Sequence, residues 1–266
     1  MSQILDKKGH LHPISAAIMQ IREIFSELGF EVAGGPEIED EWHNFDALNI
    51  PKDHPARDMQ DTFWLQGSSQ KNADQTRKNT ENDGEIIQRR SALGQRVSAR
   101  NLLRTHTSPV QIRYMEKKLK AGVKPPYRVI APGKVFRNEA TDATHEAQFF
   151  QVEGLFVDKN VSLAHLKGTL LYFFKKFFGE GVEIRLRPSF FSFVEPGVEV
   201  DVKFNGKWLE MAGAGLVHPN VFKSVGMEGY TGFAFGAGID RLLMVKYGIP
   251  DIRFLYNGDL RFVNQF

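Results

Sequence analysis

An α+β fold is what this sequence predicts, and three observations carry the prediction. Amphipathic helical stripes alternate with runs of period two. Two of those runs are joined by a polar turn region within Gly133–Asp158, and an Asn-Gly turn inside Phe204-Asn205-Gly206-Lys207 marks a further hairpin. Hairpins give antiparallel pairs, and neither a GxxxxGK[ST] loop nor a GxGxxG fingerprint is present to favour a parallel nucleotide-binding sheet.

Ile14, Ala17, Ile18, Ile21, Ile24, Phe25 and Leu28 make one apolar stripe, which predicts a helix over 14–28 ended by Gly29. GFEVAGGPEIED then reads as a strand stopped at Gly34-Gly35-Pro36, followed by a short extended piece. Residues 42–66 are irregular and hold more His, Asp, Arg and Trp than a spacer needs. Residues 67–100 open with a stretch almost free of apolar side chains, which predicts a flexible insertion. A strand next runs into a helix that starts at Ser108-Pro109, with Ser108 as N-cap and Pro109 at the first helical position, and continues to Ala121-Gly122. The free N–H groups of that helix start suit an anion.

The strand Tyr127–Phe136 leads to the central hairpin. There Val135, Arg137 and Glu139 share one face, and Phe149, Gln151 and Glu153 share a face of the return strand. Phe150, Val152 and Phe156 point the other way, as a core row. Burying the charged row is costly unless it is paired or meets a ligand. Taken alone, such a row is more often a salt-bridged, solvated face. A helix over 162–178 and at least three strands follow; Ala212–Gly215 leave a bare backbone wall. GFAFGAGIDR reads as a Gly-rich strand entering a helix, with Arg241 in its first turn.

The chain has 266 residues, 42% hydrophobic and 25% charged, which is ordinary for a globular protein. A net charge of +2 gives no strong basic field, so phosphate-binding charge for any nucleic acid is local or lies on another chain. The absence of cysteine removes disulfides, thiolate zinc sites and cysteine nucleophiles. No run is long enough to cross a membrane and no signal peptide is visible, so a cytoplasmic location and no membrane partner are expected.

The order of these parts resembles the three motifs of class II aminoacyl-tRNA synthetases. HNFDALNIPKDHPARDMQDTFWL, RTHTSPVQIRYM, DATHEAQFFQVEGL, RPSFFSFVEPGVEVDV, GAGLVHPNV and GFAFGAGIDRL are similar to the bacterial phenylalanyl-tRNA synthetase alpha-subunit family, from about Gly9 to Phe266 outside 67–100. The resemblance implies the class II synthetase core, a mixed, mostly antiparallel sheet flanked by helices, forming one catalytic domain over 1–266. It implies ATP as substrate, Mg²⁺, tRNA(Phe), and a beta subunit in a two-plus-two assembly.

The resemblance also implies roles. Arg137 and Arg241 are the catalytic pair, and Arg137, Glu139, His145, Phe149 and Arg241 bind ATP: Arg137 on the α-phosphate, Glu139 on the adenine amino group, His145 by the phosphates, Phe149 and Arg241 around the ring. Glu195 is the metal position, with Glu210 a second candidate. For phenylalanine, His106, Ser108, Gln151 and Glu153 engage its polar ends with Gln111 nearby, and Trp64 closes the entrance. Phe191, Phe193 and Val194 pack on the ring edge-to-face; Ala234 and Gly236 form the floor, Ala214 and Gly215 a wall. Singly, Phe191 and Phe193 read as core and His145 as a turn histidine. Ala234→Gly is expected to admit para-substituted phenylalanines, and an unchanged substrate range counts against this floor.

Three departures stand out: the family's N-terminal helical arm is missing, Asp240 replaces the Glu before the motif 3 arginine, and 67–100 is inserted. The helix at 14–28 and the strand near Glu31–Pro36 are the interface candidates. Two other functions fit the same residues: a regulatory paralogue that senses phenylalanine or uncharged tRNA, and a free adenylating enzyme acting on a small acceptor.

Overall fold

The computed structural model describes residues 9–65 and 100–266. Of the insertion expected at 67–100, only Arg100 falls among them. Helix α1 (Pro13–Glu27) is followed by the short strands β1 (Glu31–Val32) and β2 (Ile38–Asp40) and by α2 (Glu41–Asn44). Then come β3 (Asn101–Leu103), α3 (Ser108–Lys120), β4 (Tyr127–Phe136), β5 (Gln148–Asp158) and α4 (Leu163–Phe178). The meander β6 (Glu183–Phe191), β7 (Val194–Phe204) and β8 (Lys207–Val217) leads through α5 (Pro219–Ser224) to β9 (Thr231–Gly238), α6 (Ile239–Tyr247) and α7 (Leu260–Val263).

Seven strands form one sheet in the order β1-β4-β5-β9-β8-β7-β6. Among the described residues, β1 alone runs parallel to its neighbour, β4, in this sheet; its other pairings are antiparallel. The β7–β8 turn closes on Asn205 and Gly206, both at positive φ, as the Asn-Gly pair requires. β2 and β3 pair separately.

Strand alternation divides the sheet into a packed face and a working face. Ile130, Val152, Phe233, Phe235 and Ala237 join Phe25 of α1, Phe173 and Phe174 of α4 and Leu242 of α6 in the main core. Val129, Leu155, Val157 and Val217 point the opposite way, into a second cluster with Trp42, Phe45, Leu102 and Ile112. Gln151, Glu153, Ala234 and Gly236 share the parity of that second face.

Two expectations about these elements are corrected. β4 ends at Phe136, so Arg137 and Glu139 lie in the connection rather than on a paired strand. The Arg137 N–H still donates to the Ala147 carbonyl at 2.9 Å, but the Asn138 N–H donates to Asp61, so the chain leaves the ladder to meet the 58–61 loop. Ser108 is the first residue of α3, not its cap; Thr107 holds the cap position without a side-chain bond. The Ser108 hydroxyl instead donates to the buried Glu153 carboxylate, a charge-assisted bond.

Candidate active site

The irregular loop after α2 is a wall of the site, and buried polar contacts hold it. Arg57 donates to Asp46 at 2.6 Å, to Glu41 at 3.3 Å and to the Ile50 carbonyl. Asn49, in the left-handed region at φ 58°, donates from its amide to the Ser192 carbonyl at 2.6 Å, tying the loop to the turn that carries Phe191 and Phe193. Behind them the Asn44 amide bonds both the hydroxyl and the N–H of Thr105, next to His106.

Two cavities meet on the working face. One, of about 330 Å³, is lined by His106, Ser108, Gln111, Gln151, Glu153, Phe191, Phe193, Ala214, Ala234 and Gly236. The other, of about 600 Å³, is lined by Glu139, His145, Phe149, Glu210 and Arg241. Arg137, Gly213 and Gly236 border both. Gly213 and Gly236 are cross-strand partners, and a Cβ on either would come within 3.0 Å of the Phe191 ring or 3.2 Å of Glu153 Cγ. The junction between the cavities is kept open by the absence of side chains there.

In the smaller cavity, Glu153 accepts from the Thr107 N–H at 3.1 Å, the Ser108 hydroxyl at 2.5 Å and the Gln111 amide at 2.9 Å. The anion expected at the start of α3 is therefore the protein's own carboxylate. Burial pushes the Glu153 carboxyl up to about 7, against the opposing pull of those donors. His106 is buried and held neutral, its pKa driven down to about 3 by burial and by the charge of Arg137. Neither His106 ring nitrogen has a well-formed hydrogen bond, although the Asn44 backbone approaches the ring, and Gln151 Oε1 is buried without a partner. Buried polar atoms are nearly always satisfied, so these orphans point to a polar group that the cavity is built to receive. Apart from His54, Arg137 and Ser192, the rest of its wall is apolar. Phe191 and Phe193 stack on one another with centroids 5.8 Å apart.

The larger cavity is more open. The Arg137 guanidinium lies 5.1 Å from the Phe149 ring centroid and 3.9 Å from Glu139. His145 is exposed and sits in a tight turn in which Asp142 accepts from the Thr144 and His145 N–H groups and faces the His145 ring at 2.9 Å. Those bonds hold the Asp142 carboxyl below the usual carboxylate range. Arg241 is exposed at the start of α6.

Four residues expected in the site line neither cavity. Trp64 packs against Phe45 at 6.1 Å and under the Arg100 guanidinium at 3.9 Å, and donates to the Arg57 carbonyl, so it braces the loop from behind. Val194 and Gly215 pack on each other: a Cβ on Gly215 would come within 2.7 Å of Val194. Glu195 is exposed and faces His218 at 3.4 Å. Of the two metal candidates only Glu210 borders the larger cavity, and it also faces Arg187 at 3.4 Å. Sequence reasoning did not single out Leu48, Ile50 and His54 of the loop, Met115 of α3, or Phe190, which is 85% exposed at the rim. The unusual composition of residues 42–66 was a signal for the loop; no sequence signal marked Phe190.

A family model described as "tRNA synthetases class II core domain (F)" matches residues 2–266. A phenylalanine–tRNA ligase alpha subunit of Dehalococcoides mccartyi is 50% identical over 272 residues, covering 97% of this chain and 70% of that protein. Alpha subunits of the same description from Rhodopirellula baltica and Proteus mirabilis are each 50% identical, covering 97% and 98% of this chain and 69% of theirs. Among solved structures, pyrrolysyl-tRNA synthetase from Desulfitobacterium hafniense superposes with a TM-score of 0.65 at 16% identity, covering 92% of this chain and 73% of that one, a likeness of fold. By sequence across nearly its whole length and by fold, this chain belongs to the class II aminoacyl-tRNA synthetases, within the phenylalanine–tRNA ligase alpha-subunit family.

Proposed function

We infer that this chain is the catalytic alpha subunit of a phenylalanine–tRNA ligase, which activates L-phenylalanine with ATP and passes the acyl group to tRNA(Phe). The observation that carries the reading is the junction at Arg137, Gly213 and Gly236 between a smaller, mostly apolar cavity that holds unsatisfied polar atoms and a larger, more open cavity with arginine and aromatic groups. Phenylalanine fits the first and the nucleotide the second, so their reacting groups meet at the junction.

A phenylalanine carboxylate oxygen attacks the α-phosphorus of ATP; the new P–O bond forms as the bond to pyrophosphate breaks. Such chemistry needs positioning and charge neutralisation more than covalent help. Arg137 borders both substrates and holds the α-phosphate with its planar donor fork. Glu139 accepts from the adenine amino group, Phe149 and Arg241 hold the ring, and His145 lies by the phosphates. The substrate ammonium is met by Glu153, kept oriented by Ser108 and Gln111, and by the acceptors of His106 and Gln151. Phe191, Phe193 and Ala234 enclose the side chain. Mg²⁺ binds through one or two carboxylates plus phosphate oxygens. The exposed Glu210 suits that arrangement and would hold an ion that neutralises phosphate charge. The partner is a beta subunit, in a two-plus-two assembly in the cytoplasm. α1 and β1, which expose Met19 and Val32 respectively, are the candidate interface elements.

The test is phenylalanine-dependent ATP–pyrophosphate exchange with and without a cognate beta subunit. Exchange that requires beta supports the reading. Exchange by the chain alone favours a free adenylating enzyme, and none in either case leaves a phenylalanine or tRNA sensor.

A further inference from the structure

The carboxylate beside Arg241 borders the larger cavity, yet it is bonded within the protein. Asp240 is only 1% exposed, and both of its oxygens are engaged by protein. Oδ2 accepts from the Phe150 N–H at 2.7 Å, and Oδ1 accepts from the Tyr256 hydroxyl. One buried side chain thus ties the first turn of α6, which carries Arg241, to the backbone of β5 next to Phe149. Tyr256 belongs to the segment after the 3₁₀ turn Ile252–Leu255. The same segment is fastened to the His145 turn by the Ile252 N–H donating to the Ala143 carbonyl at 2.9 Å.

We propose that Tyr256, which lines neither cavity, is a positioning residue for the nucleotide: through Asp240 it sets the spacing between Arg241 and Phe149. The proposal rests on the ATP-dependent reading above. Losing the hydroxyl leaves Asp240 Oδ1 a buried acceptor without a donor, a costly state that the side chain relieves by rotating away from Phe150. The first turn of α6 then loses its tie to β5. The pair is also matched in length. A glutamate at 240 adds one methylene and drives its carboxylate into the Tyr256 hydroxyl, whereas removing that hydroxyl opens room of about one heavy atom.

The experiment is a double-mutant cycle of Tyr256→Phe and Asp240→Glu in the complete enzyme. It is read by the KM values for ATP and for phenylalanine in pyrophosphate exchange, by ATP binding in calorimetry, and by Tm. Each single variant is expected to weaken ATP by about tenfold, the scale of a buried charged hydrogen bond, with the phenylalanine KM within about twofold. The double variant is expected to recover to within about threefold of wild type, because the longer carboxylate fills the vacated space. Unchanged ATP binding in Tyr256→Phe, equal losses for both substrates, or a double variant as poor as the product of the singles would each overturn the proposal. Wild type that binds ATP but does not catalyse exchange overturns the functional reading, while the binding cycle still decides the coupling. Wild type that binds no ATP overturns both.

Discussion

The two cavities are built on opposite principles. In the smaller one the decisive groups are buried and fixed before any ligand arrives: Glu153 has three donors, and loop and hairpin are tied together through Asn49. In the larger one His145 and Arg241 are exposed, and Arg137 rests half-exposed on Phe149. On the proposed assignment the closed side would select by shape and by unsatisfied hydrogen bonds, which count for more in a low-dielectric setting. On the same assignment the open side would bind through charges that water and salt screen. The pocket that, so assigned, tells one amino acid from another is the one whose side chains are tied down by hydrogen bonds.

The most severe way to break this contrast is Arg137→Ala, since that residue serves both cavities. Exchange should fall by about 10³-fold, the scale of losing a charge that stabilises a transition state. A drop below about tenfold would remove Arg137 from the chemistry. Glu153→Gln should act on the closed side alone, raising the phenylalanine KM by about 10–100-fold while the ATP KM holds.

The same variant reports on folding. The native Glu153 carboxyl titrates near 7, above its ordinary value of 4.5, so the native state holds that proton longer than the unfolded chain does. Its contribution to stability is therefore complete below about pH 4.5 and declines as pH rises towards 7. Denaturant midpoints of wild type and Glu153→Gln between pH 5 and 8 should diverge, with the glutamine protein flatter; parallel profiles would contradict the buried, raised carboxyl. A smaller effect comes from salt: raising ionic strength should increase the ATP KM several-fold and leave the phenylalanine KM nearly constant. The mildest prediction is Trp64→Ala, which should lower Tm by a few degrees with a phenylalanine KM within about threefold, since the indole braces the loop and does not line the cavity.

Much of this arrangement was legible in residue order. The β4–β5 hairpin, the Asn205-Gly206 turn and the Gly-rich strand entering α6 follow local rules, and alternation put Gln151 and Glu153 on one face. The partners of Ser108 were not legible, because a hydroxyl at a helix start reads as a cap until a carboxylate 45 residues away competes for it. That Trp64 and Glu195 line neither cavity was not legible for a related reason: a sequence block carries residue types into the right region, but which side chains reach a cavity depends on long-range packing. Tyr256 carried no local signal, since its partner is set by how α6 and the C-terminal segment come together.

The buried Glu153 has one more consequence. Burial raises this carboxyl to about 7, so near neutral pH part of the population carries the proton. An arriving ammonium favours the ionised form, so occupancy expels a fraction of a proton into solution. Calorimetric heats of phenylalanine binding at pH 7 should then vary with the ionisation enthalpy of the buffer, and the slope of that dependence counts the protons released. The amino-acid pocket is, in this respect, a weak acid whose strength reports whether it is filled.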